Sequence, residues 1–286
     1  MEKTFQLVID SHCDLSEQEA TDLGYVFVSM PYYIHEFEYF PDNSEEDKKI
    51  YTYMREGCVP KTYALPPADY IRIIEHIFEQ GLDIVWVGLS DRMTGTYNSL
   101  YLAYQELKEK YPNRVIHMIN TKAVTAPMWL IAERISIAAQ FMSVVELLNY
   151  ADELISKVKF YFFPENLEHF RRGGRVSNAS AFFGNLLGVR PLMTINENGE
   201  LVVIKKVKGK RKILNELVEH FMNEVDTSHL DYVYVGHCDN LKLVEDLEEA
   251  FRAKYQAAPR FRVKCVNPTS GAHCGPDAIG IAFIAK

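Results

Sequence analysis

The dipeptide His-Cys occurs three times in this sequence, at residues 12–13, 237–238 and 273–274. Imidazole and thiolate groups are zinc ligands, and they also act as the base and nucleophile of covalent catalysis. Zinc motifs space their ligands as C-x2-4-C or H-x3-5-H, and neighbouring residues of an extended segment point to opposite sides. Neither spacing occurs, so we predict no metal site. A Cys-His dyad stays open, because its partners can meet only in the fold.

The three pairs have a position in common, because each lies in a loop or close to the end of a predicted strand. In α/β sheets the carboxyl ends of the strands border the crevice that binds ligands. The repetition therefore indicates strand ends rather than a metal cluster. His237 either borders such a site or caps its own strand.

Three strand-to-helix loops have side chains suited to binding an anion. The stretch "VGLSDRMTGTYNSL" places Thr94, Gly95 and Thr96 at the beginning of a helix. Thr125 has the same place in "MINTKAVTAPM", and Ser11 follows the strand in "VIDSHCDLS". Helix N-termini bind anions through unpaired N–H groups and the positive end of the dipole. The alternative is that these threonines only cap their helices.

Strands and helices alternate through the first half of the chain. The predicted strands are "FQLVID", "YVFVSMPYYI", "LDIVWVGLS" and "RVIHMIN", each followed by helical periodicity. This order predicts a mostly parallel sheet flanked by helices. The second half contains a hairpin around Asn198-Gly199 and has an α+β pattern. We predict an α/β protein of two domains, with an N-terminal α/β domain over 1–157 and a C-terminal α+β domain with a mixed sheet over 158–286.

The composition is that of a globular protein with a full core. Of 286 residues, 48% are hydrophobic and 24% charged, and the net charge is −8. The acidic balance argues against a nucleic-acid partner, which would need a basic face. The sequence has no apolar run long enough for a transmembrane segment and no signal-peptide pattern at its beginning. Five cysteines without framework spacing indicate a reduced, cytoplasmic protein.

Four stretches in order carry a resemblance to a known family: "DSHCDLS", "LSDRMTGTYNSL", "FRRGGRVSNASAFFGNLLGVRPLMTINENGEL" and "GAHCGPDAIGIAF". Together they resemble the DegV family, bacterial fatty-acid-binding proteins of two α/β domains. The resemblance covers essentially the whole chain, and the long third stretch is its most specific part.

The resemblance implies a long-chain fatty acid as the ligand and no further cofactor. The acyl chain is expected between the sheet and helices of the first domain, with the carboxylate where the domains meet. Some members deliver the acid to a separate acyl kinase, which phosphorylates the carboxylate, so this chain is expected to be a carrier rather than an enzyme. Any membrane contact is expected to be transient.

The family motifs identify candidate head-group residues in this chain. Thr62 matches the family's loop threonine, Thr94 stands where a Ser-Gly-Thr motif usually has serine, and His273 matches the histidine of the closing Gly-x-His-x-Gly-Pro motif. With the loop residues above, the predicted carboxylate-binding set is Ser11, Thr62, Thr94, Gly95, Thr96, Thr125 and His273.

Three basic residues are predicted to contact a partner or a phosphate. Arg172 and Arg175 flank the Gly-Gly turn, which resembles a partner-docking loop of the family. Lys208 lies near a position that is often arginine after the hairpin.

The chain departs from the family pattern at several positions. Tyr63 and Ala64 replace polar residues, Pro127 stands near the place of usual glycines, and Asp277 replaces a glycine. These departures predict an altered and crowded lining. The apolar lining itself is expected from the first half of the chain, in a subset of Phe27, Met30, Tyr32, Ile34, Phe78, Trp86, Met128, Trp129 and Ile131.

Two other functions are consistent with the sequence. One is an enzyme that uses Cys13 or Cys274 as a nucleophile on a small acyl substrate, with a nearby histidine as the base. The other is a lipid-responsive interaction protein that binds a partner other than a kinase. A low thiol pKa would favour the first of these.

Overall fold

The structure is a computed structural model that describes residues 4–165, 167–176, 188–229, 232–255 and 259–286. Residues 177–187, in the middle of the Gly-Gly-Arg stretch that resembles the family, lie outside the described residues. The described strands, in chain order, are β1 (Phe5–Asp10), β2 (Tyr25–Val28), β3 (Tyr32–Ile34), β4 (Phe37–Tyr39), β5 (Lys61–Thr62), β6 (Asp83–Gly88), β7 (Ile116–Asn120), β8 (Val158–Phe163), β9 (Val189–Ile195), β10 (Leu201–Lys208), β11 (Val233–His237), β12 (Phe261–Cys265) and β13 (Ile279–Ile284). The described α-helices are α1 (Glu17–Asp22), α2 (Lys49–Arg55), α3 (Pro67–Glu79), α4 (Thr96–Lys108), α5 (Ala126–Ala138), α6 (Val144–Lys157), α7 (Glu168–Gly173), α8 (Lys210–Glu224), α9 (Leu241–Lys254) and α10 (Pro268–Cys274).

The first half of the chain forms a four-stranded parallel sheet in the order β2-β1-β6-β7. Its central strands are apolar on both faces, as expected when helices cover both sides of a parallel sheet. Helices α3 and α4 cover one face, where Ile74 and Leu100 pack against Trp86. Helix α5 packs against the other face through a separate apolar cluster.

The second half forms a six-stranded mixed sheet in the order β10-β9-β8-β13-β11-β12. Strands β11 and β12 are parallel, and the other neighbours are antiparallel. Helices α8 and α9 cover the outer face of this sheet. The predicted α/β class, with a parallel first sheet and a mixed second one, is confirmed.

Helix α5 lies between the two sheets and is apolar on nearly all sides. Ten of its residues are buried, and it contacts β8, β11 and β13 as well as the turn after β1. A helix that is hydrophobic all round is stable only when it is enclosed by other layers. The apolar cluster around it contains side chains from both halves, for example Ile9 of β1 and Phe162 of β8. The predicted boundary after residue 157 coincides with the end of α6, but one core continues across it, and the division into two domains stays a prediction.

The turn between β9 and β10 reaches the loops of the first sheet. Ser90, after β6, donates a hydrogen bond to the carbonyl oxygen of Gly199 at 2.7 Å. Lys122, after β7, donates to the carbonyl oxygen of Glu197 at 2.9 Å. The hairpin thereby fixes the carboxyl edge of the parallel sheet against the second sheet, which is where a ligand crevice is expected.

One predicted strand was wrong, and one helix was not predicted. The run "YVFVSMPYYI" is not one strand: the chain leaves the parallel sheet after β2, and β3 joins β4 and β5 in a small antiparallel sheet. Pro31, which has no N–H to donate, lies in the break between the two strands. Helix α10, in "PTSGAHCGP", was not among the predicted elements. Its beginning is well defined, since the Asn267 side chain accepts from the Ser270 N–H and Pro268 is the first helical residue.

Helix α10 packs closely against α2 because Gly271 has no side chain. The Tyr51 ring of α2 occupies the space that a Cβ at Gly271 would need. The Tyr51 hydroxyl donates to the carbonyl oxygen of Val266 at 2.8 Å, which fixes the ring at the base of α10. The position of α10 therefore depends on this glycine.

We expect the variant Gly271→Ala to lower the free energy of unfolding by about 1–3 kcal/mol, the usual cost of forcing an extra methyl group into a packed site. Urea unfolding followed by circular dichroism measures this loss. An unchanged midpoint would contradict the close packing of α10 on Tyr51.

Candidate functional site

A cavity of about 920 Å³, counted to its open mouth, lies between the carboxyl edge of the parallel sheet and the inner face of the second sheet. Its polar side chains come from the loops after β1, β6 and β7, from β5 and from α10. Its phenylalanine side chains come from β8 and α7, and Tyr63 follows β5. The lining residues that matter below are His12, Met30, Thr62, Tyr63, Ala64, Thr94, Gly95, Thr125, Phe160, Phe162, Phe170, Arg175, Gly236, His273 and Gly280.

Five of the seven predicted head-group residues line this one cavity: Thr62, Thr94, Gly95, Thr125 and His273. They come from β5, from the N-termini of α4 and α5, and from α10. The Thr62 hydroxyl lies 2.8 Å from His273 Nε2. The topology thus brings together residues that are up to 211 positions apart in the chain.

The N-termini of α4 and α5 both open on the cavity. Gly95 is the N-cap of α4, and no side chain caps either helix. Thr94 Oγ1 instead accepts from the Thr96 N–H at 3.2 Å. Thr125 has an unusual backbone with φ 57°, and its N–H donates to the His12 carbonyl at 2.8 Å. The Thr125 side chain does not cap α5. The alternative of a helix cap and nothing more is therefore wrong for Thr125.

Ser11 and Thr96 lie behind the cavity wall rather than on it. Ser11 Oγ accepts from the Met30 N–H at 3.0 Å. Thr96 is fully buried, and its Oγ1 lies 3.0 Å from Thr94 Oγ1 and 3.4 Å from the Tyr70 hydroxyl. Both side chains hold the wall in place, so their predicted direct contact with a carboxylate is not supported.

His273 is held in its neutral form. Burial, together with the positive charge of Arg175, lowers the pKa of its imidazole to about 4. Nε2 faces Thr62, and Nδ1 is buried with no hydrogen-bond partner among the described residues. A Cβ on Gly173 would overlap the ring, so this glycine allows α7 to lie directly over the histidine.

Two buried acidic side chains, Asp10 and Asp14, lie close to the cavity. Asp10 accepts from His12 Nδ1 at 2.8 Å and is completely buried. Burial raises the pKa of the Asp14 carboxyl to about 7, although Asn267 donates two hydrogen bonds to it. The site therefore combines donors and helix N-termini at its surface with carboxyls that are paired or partly protonated.

Sequence comparisons identify the family. A family model described as an uncharacterised protein of the DegV family matches residues 4–286. This chain belongs to the DegV family. It is 29% identical to a DegV domain-containing protein of Clostridium perfringens, over 99% of this chain and 98% of that protein. It is 27% identical to a relative from Caldanaerobacter subterraneus, over the full length of both.

Solved DegV structures have the same fold. The structure described as fatty-acid binding of a DegV family protein from Thermus thermophilus has a TM-score of 0.85 and 23% identity, over 99% of this chain and 100% of that chain. A DegV lipid-binding protein from Thermotoga maritima has a TM-score of 0.82 and 25% identity, with the same coverage.

The apolar lining differs from the prediction. Of the nine candidates from the first half, only Met30 lines the cavity. Trp86 and Phe78 instead belong to the core between the parallel sheet and helices α3 and α4. The aromatic wall comes from Phe160, Phe162 and other residues of the second half. The cavity thus lies between the halves of this DegV protein and not within the first.

The sequence departures have separate roles. Tyr63 and Ala64 line the cavity, and the Tyr63 hydroxyl donates to Glu38. Asp277 does not line it: this carboxylate accepts from Arg55 at 3.0 Å and from Asn240 at 2.7 Å. Pro127 is buried in the first turn of α5 and does not line it either. Only the first two departures therefore alter the lining.

The basic residues are also divided. Arg175 lines the cavity, and its Nε donates to the Met93 carbonyl at 3.4 Å. Arg172 is exposed and donates to Glu168 at 3.0 Å. Lys208 is exposed at the end of β10, away from the lining.

Cys13 and Cys238 are not activated thiols. Burial raises the pKa of the Cys13 and Cys238 thiols well above the usual range. The described part of the chain has no group of three or more His, Cys, Asp or Glu side chains placed to hold a metal ion.

His237 is buried, does not line the cavity, and accepts from the Asn240 N–H at 3.2 Å, as expected for a residue at a strand end. Among the described helices, none has the length and apolarity to cross a lipid bilayer.

Sequence reasoning missed two parts of the site. His12 lines the cavity, yet its only sequence signal was the His-Cys pair. Phe160 and Phe162 alternate in "KFYFF", which indicates a shared face of β8 but not that this face borders a cavity.

The pKa of His273 gives a pH dependence of stability. The imidazole stays neutral down to about pH 4 in the folded protein and is protonated below 6.5 in the unfolded chain. The unfolded state then binds more protons between these values, so stability falls as pH decreases from 6.5 to 4. We expect the wild type to lose stability relative to His273→Asn over this window, and an NMR titration of His273 to have its midpoint near 4.

The variant Asp14→Asn is the control, because Asp14 gives the opposite dependence of stability on pH. The Asp14 carboxyl stays protonated up to about pH 7 in the folded protein, so the wild type loses stability relative to Asp14→Asn as the pH rises through that value. A His273 midpoint near 6.5 would instead show that the ring is solvated.

Proposed function

We propose that this DegV protein binds a long-chain fatty acid in the cavity between its two sheets. The observation that carries the proposal is the joining of two helix N-termini and the Thr62–His273 pair to an apolar aromatic wall in one cavity. The DegV proteins from Thermus thermophilus and Thermotoga maritima, described as binding fatty acid and lipid, support it.

The energetics favour an acyl chain. Burial of one methylene contributes about 0.8 kcal/mol, so a chain of about fourteen methylenes contributes on the order of 11 kcal/mol before ordering costs. The carboxylate opposes binding unless it is hydrogen-bonded, because an unpaired buried charge is costly.

The head group is the part that needs the polar wall. The hydroxyls of Thr62, Thr94 and Thr125 are donors, and neutral His273 donates from one ring nitrogen. The N–H groups at the beginning of α4 and α5 add the positive end of two helix dipoles. Hydrogen bonds to a charged acceptor are stronger than neutral ones, so this set offsets the loss of hydration.

We expect Thr62→Val and His273→Asn each to raise the Kd for a long-chain fatty acid by about 10- to 100-fold, the effect of removing one hydrogen bond to a charged group. Native mass spectrometry detects retained acid, and titration with a fluorescent fatty acid gives Kd.

Lys208→Ala is the control, because its side chain is exposed and does not line the cavity. Its Kd should equal that of the wild type. Unchanged occupancy in both cavity variants would refute the head-group assignment, and a wild type that retains no fatty acid would refute the proposed function.

The proposal includes presentation of the bound acid to a partner acyl kinase, with no catalysis by this chain alone. Arg172 and Arg175 flank the Gly173-Gly174 turn, and Arg172 is exposed. Helix α7, which ends at this turn, packs on α10 beside His273. The turn therefore lies close to the proposed carboxylate, and Arg172, paired with Glu168, is on the surface that a partner would contact. The five free cysteines are consistent with a reducing cytoplasm.

We expect Arg172→Ala to lower kcat/KM of phosphoryl transfer from ATP to the bound acid by about tenfold or more, because arginine is often a dominant residue of interfaces. The assay combines this protein, loaded with fatty acid, with a bacterial acyl kinase. The Kd for the acid should not change.

Arg252→Ala is the matched control, since Arg252 on α9 also pairs with a glutamate four residues away at 3.0 Å. Equal rates for both variants would argue that the Gly-Gly turn does not dock the kinase.

The alternative of a cysteine enzyme is less well supported. A nucleophilic thiol needs a low pKa, and burial raises that of Cys13. Cys274 lines the cavity but packs into an apolar cluster with Cys238 and Tyr51. A lipid-responsive protein with another partner would behave like the carrier in ligand assays and differ only in the kinase assay.

A further inference from the structure

Two glycines lie side by side on the face of the second sheet that borders the cavity. Gly236 of β11 is paired in register with Gly280 of β13, and Gly280 is paired with Phe162 of β8. Side chains alternate along a strand, so paired residues in neighbouring strands share one face. All three residues line the cavity. At the Gly236–Gly280 pair, next to Phe162, this wall therefore has no side chains.

The Phe160 ring and the Phe162 Cβ lie next to Gly280. A Cβ at Gly280 would be 2.6 Å from Phe162 Cβ and 2.7 Å from Phe160 Cε2, closer than atoms in contact allow. The two rings are stacked, with centroids 4.9 Å apart and an interplanar angle of 15°. The absence of a side chain at Gly280 thus leaves room for the Phe160 ring to lie against the sheet, with the Phe162 ring stacked on it.

Gly236 has a different neighbour. A Cβ there would be 3.5 Å from the Ala126 Cβ in the first turn of α5 and 3.3 Å from Val266 Cγ2. The beginning of α5 therefore approaches the sheet at this glycine, which fixes the side of the cavity next to Thr125. Gly280, Phe160 and Phe162 form the part of the wall that an apolar ligand could contact.

We propose that Gly280, together with Phe160 and Phe162, determines the length of acyl chain that this protein accepts. The inference rests on the proposed fatty-acid function and adds a specificity determinant to it. The length of the space along this wall depends on how closely the Phe160 and Phe162 side chains approach Gly280. A side chain at 280 pushes the rings inward and shortens the space, and a smaller side chain at 160 or 162 lengthens it.

The experiment measures Kd for a series of saturated fatty acids that differ by two methylenes, in the wild type, Gly280→Ala, Phe162→Leu and Phe160→Leu. We expect the preferred chain to become shorter in Gly280→Ala and longer in the two leucine variants. Each methylene that no longer fits should weaken binding about fourfold, the change that corresponds to about 0.8 kcal/mol.

Phe163→Leu is the matched control, because Phe163 neighbours Phe162 on β8 but faces the opposite side of the sheet, in the core with α8 and α9. It should lower stability without changing the preferred chain length. The leucine variants keep an apolar side chain, so they test the inference even if Gly280→Ala does not fold.

Two failures are distinguishable. A wild type that binds no member of the series refutes the proposed function. A wild type that binds, with folded leucine variants that keep its chain-length preference, overturns this inference and leaves the function intact.

Discussion

The enclosure of α5 between two sheets is the constraint on which the rest of the structure depends. Its side chains are apolar on nearly every side, so neither sheet alone could bury them. Polar contacts then fix its orientation: Glu133, the main exception, accepts from Trp129 at 2.8 Å and from the Tyr234 hydroxyl of β11 at 2.6 Å. Because the same helix faces both sheets, its N-terminus is placed where the carboxyl edge of one sheet meets the inner face of the other.

The cavity follows from that placement. The chain must enter α5 from β7 in a tight path, and Thr125 adopts φ 57° there while its N–H binds the His12 carbonyl. A non-glycine residue with positive φ is strained and is retained where the surrounding contacts determine it. On the opposite wall, Gly236 lets α5 approach and Gly280 leaves room for the Phe160 ring. The space that remains has a polar end built from loops and an apolar end built from a strand.

Much of this fold could be predicted from the sequence, because the signals were local. Apolar runs and helical periodicity predicted the first parallel sheet, and short family motifs identified Thr62 and His273. The failures occurred where local signals conflict with tertiary packing. Helix α10 was not predicted, because glycine is a poor helix former, and Gly271 is the residue that allows Tyr51 to pack against this helix. Trp86 was a candidate for the apolar lining, but it fills the core beside α3 and α4.

The apolar wall could not be predicted because it depends on register between distant strands. Phe162 and Gly280 are paired only because β13 runs antiparallel to β8, and more than a hundred residues separate them. Alternation in "KFYFF" shows that two phenylalanines share a face, and it applies equally to a face in the core with α8. A shift of one residue in this register would move both rings to the opposite face and place Tyr161 at the cavity. Under the proposed role of Gly280, the accepted ligand length depends on strand pairing and not on a contiguous motif. The head-group residues differ, because they lie in loops that a motif can identify.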